Sequence, residues 1–234
     1  MKKGKGSGGS PLRARTRARE GRIDRNAEHV LSVDPGETSG LAWCGLDQAF
    51  GVEYSPLKGP GVRDERYVNL FGWAQIEGPV DEQLVKIFKG VIRLNVRVLV
   101  WEMSDHFLLN PESRGRVNKS SLVPIKLDGA LQGLVHLVNE SRGDDPFWEE
   151  HSSGPASDRL MAGVRQQPGM RNVISADVMR AFGMLGAEDN DVVLRPSGGG
   201  RDAYSAVQHL LVFLRRMYGT KGFADTVARQ IGIR

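Results

Sequence analysis

His29-Val30-Leu31-Ser32-Val33-Asp34-Pro35-Gly36-Glu37-Thr38-Ser39-Gly40-Leu41-Ala42-Trp43 is the stretch on which the fold turns. Val30, Leu31 and Val33 are β-formers, Pro35-Gly36 is a turn signal, and Leu41-Ala42-Trp43 restarts an apolar run. The pattern predicts two strands, 29–34 and 40–46, joined by a tight turn. Asp34 therefore closes a strand, where a carboxylate is rigidly held and near solvent. Pro35 biases it towards an extended backbone, and Gly36 lets the chain turn tightly.

Two further carboxylates have comparable settings. Glu102 closes Val96-Arg97-Val98-Leu99-Val100-Trp101, which is nearly all apolar and reads as a buried parallel strand. Asp202 opens the helix that carries Ala206, Val207, Leu210, Leu211, Leu214 and Met217 on its inward side. Singly, Asp34 is an ordinary turn residue and Asp202 an ordinary helix cap. Glu102 has fewer structural uses. Together, two strand-end acids and one helix-start acid are a pattern suited to divalent cations.

Working outward, residues 67–77 alternate enough for a third strand. Pro79 then starts a helix with Val80, Leu84, Ile87, Phe88, Val91 and Ile92 at helical spacing. Helix 122–140 follows, with Leu127, Ala130, Leu131, Leu134, Val135 and Val138 as its stripe. Residues 141–170 read as a long loop, Val173-Ile174 as a short fifth strand, and Ser175 or Asp177 as the cap of the next helix. A last helix is expected over 223–231. The order β-β-β-α-β-α-β-α-α predicts an α/β layered domain. Its five-stranded mixed sheet has the order 3-2-1-4-5 with flanking helices, and strands one and four are neighbours.

Composition sets the outer bounds. The chain has 234 residues, of which 40% are hydrophobic, enough for one buried core. No apolar run approaches the roughly 20 residues that span a bilayer, and no secretory signal is visible, so no membrane partner is expected. A lone cysteine, Cys44, excludes an internal disulfide and a cysteine-based zinc site; it reads as an inert buried thiol in a reducing cytoplasm. Charge is unevenly placed. Residues 1–25 carry nine Lys and Arg against Glu20 and Asp24, a balance of +7 in a chain of net charge +4, so the rest is at −3. Residues 1–26 read as a basic disordered tail, either merely solubilising or an arm that neutralises phosphates. Residues 27–234 form the folded domain.

The chain resembles RuvC-like Holliday-junction resolvases, most closely their bacteriophage versions, within the ribonuclease H-like superfamily. The matching stretches are Val33-Asp34-Pro35-Gly36, Val98-Leu99-Val100-Trp101-Glu102, and Arg201-Asp202-Ala203 with Ala206 and His209-Leu210-Leu211 behind it. They lie within roughly residues 29–218. The resemblance implies a metal-dependent, structure-selective endonuclease acting on branched DNA. Asp34, Glu102 and Asp202 would be the catalytic metal ligands, with Asp34 bridging two Mg²⁺ ions that Mn²⁺ can replace. A homodimer would cut two strands, in the cytoplasm of a bacterial host. The family usually has Asp or His three positions before the helix acid. Here that position is Gly199, and Asp189, Asp191, Asp105 and Glu37 are the candidates for the missing place.

Other residues are more ambiguous. His209, seven after Asp202, shares its helix face and reads as a partly buried core histidine. Phe107 suits either stacking on an unpaired base or covering the core. Arg114, Arg116, Lys119 and Lys126 are phosphate contacts or a solvated basic surface. Two rivals remain in view. A sugar-kinase or actin-like ATPase needs two such domains and does not fit this length. A nucleic-acid-binding protein of the same fold with weakened catalysis fits Gly199.

Overall fold

The computed structural model describes residues 16–19, 28–45, 72–102, 122–142, 148–152, 156–182 and 201–233. The strands are β1 (Thr16–Arg19), β2 (His29–Asp34), β3 (Thr38–Gly45), β4 (Gly72–Glu77), β5 (Val96–Glu102) and β6 (Trp148–Ser152). The helices are α1 (Val80–Arg93), α2 (Leu122–Arg142), α3 (Ala156–Met161), α4 (Ser175–Ala181), α5 (Arg201–Tyr218) and α6 (Thr220–Gln230). None of the described helices is long and apolar enough to cross a membrane.

The sheet is mixed. Its strands lie in the order β1-β4-β3-β2-β5-β6. β2, β3 and β4 form an antiparallel meander, and β5 pairs parallel with β2. The four interior strands thus have the expected order 3-2-1-4. Two expectations at the edges are corrected. Val173-Ile174 is not a strand: Val173 is buried within a turn-rich segment, and Ile174 is the exposed residue before α4. The neighbour of β5 is instead β6, parallel to it, from the stretch expected to be a loop. Trp148-Glu149-Glu150-His151-Ser152 has neither an apolar run nor alternation, which is why an edge strand there leaves no hydrophobic signature. At the other edge, Thr16–Arg19 pair antiparallel with β4, so these four residues belong to the sheet and not to a free tail.

Side-chain alternation divides the core in two. Leu31, Val33, Leu41, Trp43, Leu99 and Trp101 face α1 and α2, meeting Ile87, Val91, Leu127 and Leu131. Val30, Ala42, Cys44, Val98 and Val100 face the other way, onto α5 and the shorter helices packed around it. Both faces are covered, so β2 and β5 are buried except at Arg97 and at the closing acids Asp34 and Glu102, as a nearly continuous apolar β5 requires. α5 is buried over most of its length, including Ala203, Ala206, Val207, Leu210 and Leu211.

Two polar contacts anchor the α1–α2 side. The indole N–H of Trp101 donates to the buried Asp128 at 2.8 Å. The buried Gln83 side chain donates to the carbonyls of Glu37 (2.9 Å) and Gly78 (2.8 Å), fastening the turn after Asp34 to the start of α1. The apolar stripe of α1 is only partly inward: Ile87 and Val91 are buried, but Phe88 and Ile92 are exposed beside Val85. α4 is held by Asp177, which accepts the backbone N–H of Ile174 at 3.1 Å.

Candidate metal centre

The period of two that builds the core also aims the carboxylates. Asp34 follows Val30 and Ser32 on one face of β2, and Glu102 follows Val98 and Val100 on the same face of β5. The parallel register pairs Val33 with Trp101, so Asp34 and Glu102 are the next residues of adjacent strands. Both sit at the carboxyl ends, on the side that α5 covers. This is the juxtaposition expected from the strand order.

α5 reaches this corner because β3 carries glycine there. Gly40 pairs with Asp34 and shares the face of Ala42 and Cys44. A Cβ on Gly40 would collide with the carbonyl group of Asp202 and lie 2.6 Å from the Ala203 nitrogen. The bare backbone admits the first turn of α5 and brings Asp202 to Asp34. Gly36 has a different role: a Cβ there would stand 2.8 Å from the Thr38 carbonyl oxygen, so the turn itself excludes a side chain.

The electrostatics follow from the crowding. The carboxyl of Asp34 is raised well above its ordinary value of 3.8. Burial is the largest cause, then the charges of Glu102 and Asp202. A hydrogen bond shared with Glu102 raises it further, while the hydroxyl of Ser205 donates to it and lowers it. Such a cluster is poorly disposed to hold all its negative charge unaided.

His209 completes the corner. It is fully buried, and its Nε2 lies 3.6 Å from Oε2 of Glu102. Asp34, Glu102 and His209 place one ligand atom each within 4.8 Å of one another. Hard carboxylate oxygens with an imidazole nitrogen suit a divalent cation such as Mn²⁺, and the elevated Asp34 is the group such a charge would relieve. The residues present therefore fit a metal.

Of the residues singled out from sequence, Asp34, Glu102 and Asp202 converge here. Lys126 is exposed on α2, and Glu37 is exposed in the turn beyond Asp34. Phe107, Arg114, Arg116, Lys119, Asp105, Asp189, Asp191 and Gly199 lie outside the described residues. Two residues of the site escape a reading by sequence. His209 reads there as core, although its seven-residue spacing from Asp202 already places it on the right face. Ser205 carries no sequence signal apart from its position one turn after Asp202.

No protein-family model matches this chain, and no curated protein does. Among solved structures it is similar to T. thermophilus RuvC in complex with a Holliday junction substrate: 13% identity and a TM-score of 0.39, covering 84% of this chain and 97% of that one. It is also similar to the yeast mitochondrial Holliday junction resolvase Ydc2, with 9% identity and a TM-score of 0.41, covering 88% of this chain and 86% of that one. Overlaps this loose decide nothing by themselves.

Proposed function

We propose that this chain is a ribonuclease H-like, metal-dependent endonuclease that cleaves branched DNA such as Holliday junctions, in the manner of the bacteriophage RuvC-like resolvases. The single observation that carries this reading is the convergence of Asp34, Glu102 and His209 within 4.8 Å, beside Asp202, at the carboxyl ends of two parallel strands. Structural acids are usually dispersed or paired with cations. A crowded, partly buried cluster of acids raises its own energy, and a bound cation offsets that cost.

In this reading Asp34, Glu102 and Asp202 would hold the metal, with Asp34 at the centre of the three. Mg²⁺ is the expected cofactor, with Mn²⁺ able to substitute. When bound, divalent ions supply an activated water and charge neutralisation at the phosphate. The chain's own residues do the rest. Ser205 orients Asp34 by donating to it. The turn at Gly36 and Glu37, fastened by Gln83, fixes the exit from β2. Phosphate contacts are assigned to Lys126 and to Arg114, Arg116 and Lys119, which follow Glu102 in the sequence. Phe107 in that segment is assigned to stacking on an unpaired base. The basic residues of 2–15 add salt-dependent affinity ahead of the nuclease domain, whose sheet takes in Thr16–Arg19. Two opposed cuts call for a homodimer.

The test is cleavage of a synthetic four-way junction, set beside a linear duplex of the same sequence, with Mg²⁺, Mn²⁺ or a chelator. Junction cleavage that needs the metal and spares the duplex supports the proposal. Metal-independent binding without cleavage would favour the alternative, a nucleic-acid-binding protein whose catalysis is weakened by Gly199.

A further inference from the structure

We infer that His209 is a direct metal ligand, supplying an imidazole nitrogen on the Glu102 side of Asp34 and tuning the site towards Mn²⁺ over Mg²⁺. The inference rests on the metal-site reading above and adds to it the identity of a donor that the helix-acid pattern leaves missing at position 199.

The geometry places His209 and Glu102 where one ion could take both as ligands. Nε2 of His209 and Oε2 of Glu102 are 3.6 Å apart. A hydrogen bond between nitrogen and oxygen spans about 2.7–3.2 Å. Two adjacent ligand atoms of an octahedral ion at about 2.1 Å stand about 3.0 Å apart. The observed separation is longer than both, so an ion bound between the two atoms would draw them closer together. Asp34 contributes a third atom to the same group.

Helix geometry explains how one element serves both sides of Asp34. Residues 202 and 209 are seven apart, close to two turns, so they share a face about 10 Å apart along the axis. Side chains on a helix tilt towards its N-terminus, so His209 leans back to the strand ends that the first turn of α5 overlies. Asp202 then serves one side of Asp34 and His209 the other. Burial fixes the ring: His209 is 1% exposed.

The donor type has a consequence. Mg²⁺ favours hard oxygen ligands, whereas imidazole suits first-row transition ions, and Mn²⁺ accepts both. Replacing an oxygen donor by nitrogen should therefore separate the two affinities in favour of Mn²⁺.

The deciding experiment is pulsed electron paramagnetic resonance of Mn²⁺ bound to the full chain, with natural-abundance and ¹⁵N-histidine protein. The expected result is a nitrogen coupling that changes on ¹⁵N labelling, disappears in His209→Gln, and persists in the triple variant His106→Gln/His136→Gln/His151→Gln. The remaining histidine, His29, begins β2 five residues from Asp34, about 16 Å away along the strand. In His209→Gln the Mn²⁺ affinity should fall about tenfold or more, with a smaller change for Mg²⁺. Mn²⁺ bound in an Asp34-dependent manner without histidine coupling overturns the role of His209 and leaves the carboxylate site standing. Disappearance of the coupling in the triple variant also overturns it, and this arm holds even if His209→Gln fails to fold. Absence of Asp34-dependent Mn²⁺ binding sinks both the ligand and the metal-site reading.

Discussion

Gly40 of β3 lies directly beneath the carbonyl of Asp202, with no space between them for a side chain. Because Gly40 is also the cross-strand partner of Asp34, one missing Cβ determines how closely the helix acid approaches the strand acid.

Gly40→Ala is therefore expected to push the first turn of α5 off the sheet. Overpacking of this kind costs about 1–3 kcal/mol. Metal affinity should fall as well, because Asp202 moves away from Asp34. Chemical denaturation and Mn²⁺ titration of the same sample check both effects. A variant with unchanged stability and unchanged affinity would show that the helix start is not held by this contact.

The raised carboxyl of Asp34 makes a prediction about pH. In the folded, metal-free protein Asp34 keeps its proton at a pH where the unfolded chain has lost it. The folded state then binds more protons, so this residue makes stability fall as pH rises above about 3.8 and through the folded value. Asp34→Asn should melt higher than wild type at neutral pH without metal, and the gap should close towards low pH. Added Mn²⁺ should raise the melting temperature of wild type more than that of the variant. Parallel melting curves at every pH would contradict the crowding of Glu102 and Asp202 around Asp34.

What the sequence disclosed, and what it concealed, has a physical pattern. β2, β3 and β5 were legible because they are buried and rich in Val, Leu and Trp, and Asp34 and Glu102 were legible because they end such strands. β6 was not, since an edge strand containing Glu149 and Glu150 has no hydrophobic period, and the short apolar pair Val173-Ile174 mimics a strand instead. His209 illustrates a different limit. Helical spacing gave its face, but a buried histidine that serves the core and one that faces a metal look identical until the strand ends are placed beside it. Gly40 was invisible for a related reason: its role depends on the approach of a helix more than 160 residues later.

The basic N-terminal segment divides into two parts. Residues 2–15 carry Lys2, Lys3, Lys5, Arg13 and Arg15, and Thr16–Arg19 pair with β4. Deleting 2–15 should lower DNA affinity and flatten its dependence on salt, by up to about 0.9 in logarithmic slope for each phosphate that the segment neutralises. Stability should hardly change. Deleting 2–25 should additionally destabilise the fold by exposing the edge of β4. Binding titrations at several salt concentrations test the first part, where an unaltered slope rules out contact with DNA. Thermal melting tests the second.

Cys44 provides a check on the core behind the site. Its thiol is fully buried and pushed up to about 12 by loss of hydration. The thiolate is the reactive form. Native protein should resist thiol reagents at neutral pH and react once denaturant is added. Rapid reaction of the folded protein would mean that the α5 side of the sheet opens readily.

The most direct test of the nuclease proposal is single-turnover cleavage of a four-way junction by wild type and by Asp34→Asn, Glu102→Gln and Asp202→Asn, with binding measured on the same samples. Each substitution keeps the side chain's shape while removing its charge. Wild type should cleave only with a divalent metal. Each variant should lose about a thousandfold or more in rate, equivalent to about 4 kcal/mol of charge stabilisation, while junction affinity, set mainly by phosphate contacts, stays within about threefold. Near-normal cleavage by Asp34→Asn, the residue at the centre of the cluster, would contradict the proposed metal centre outright.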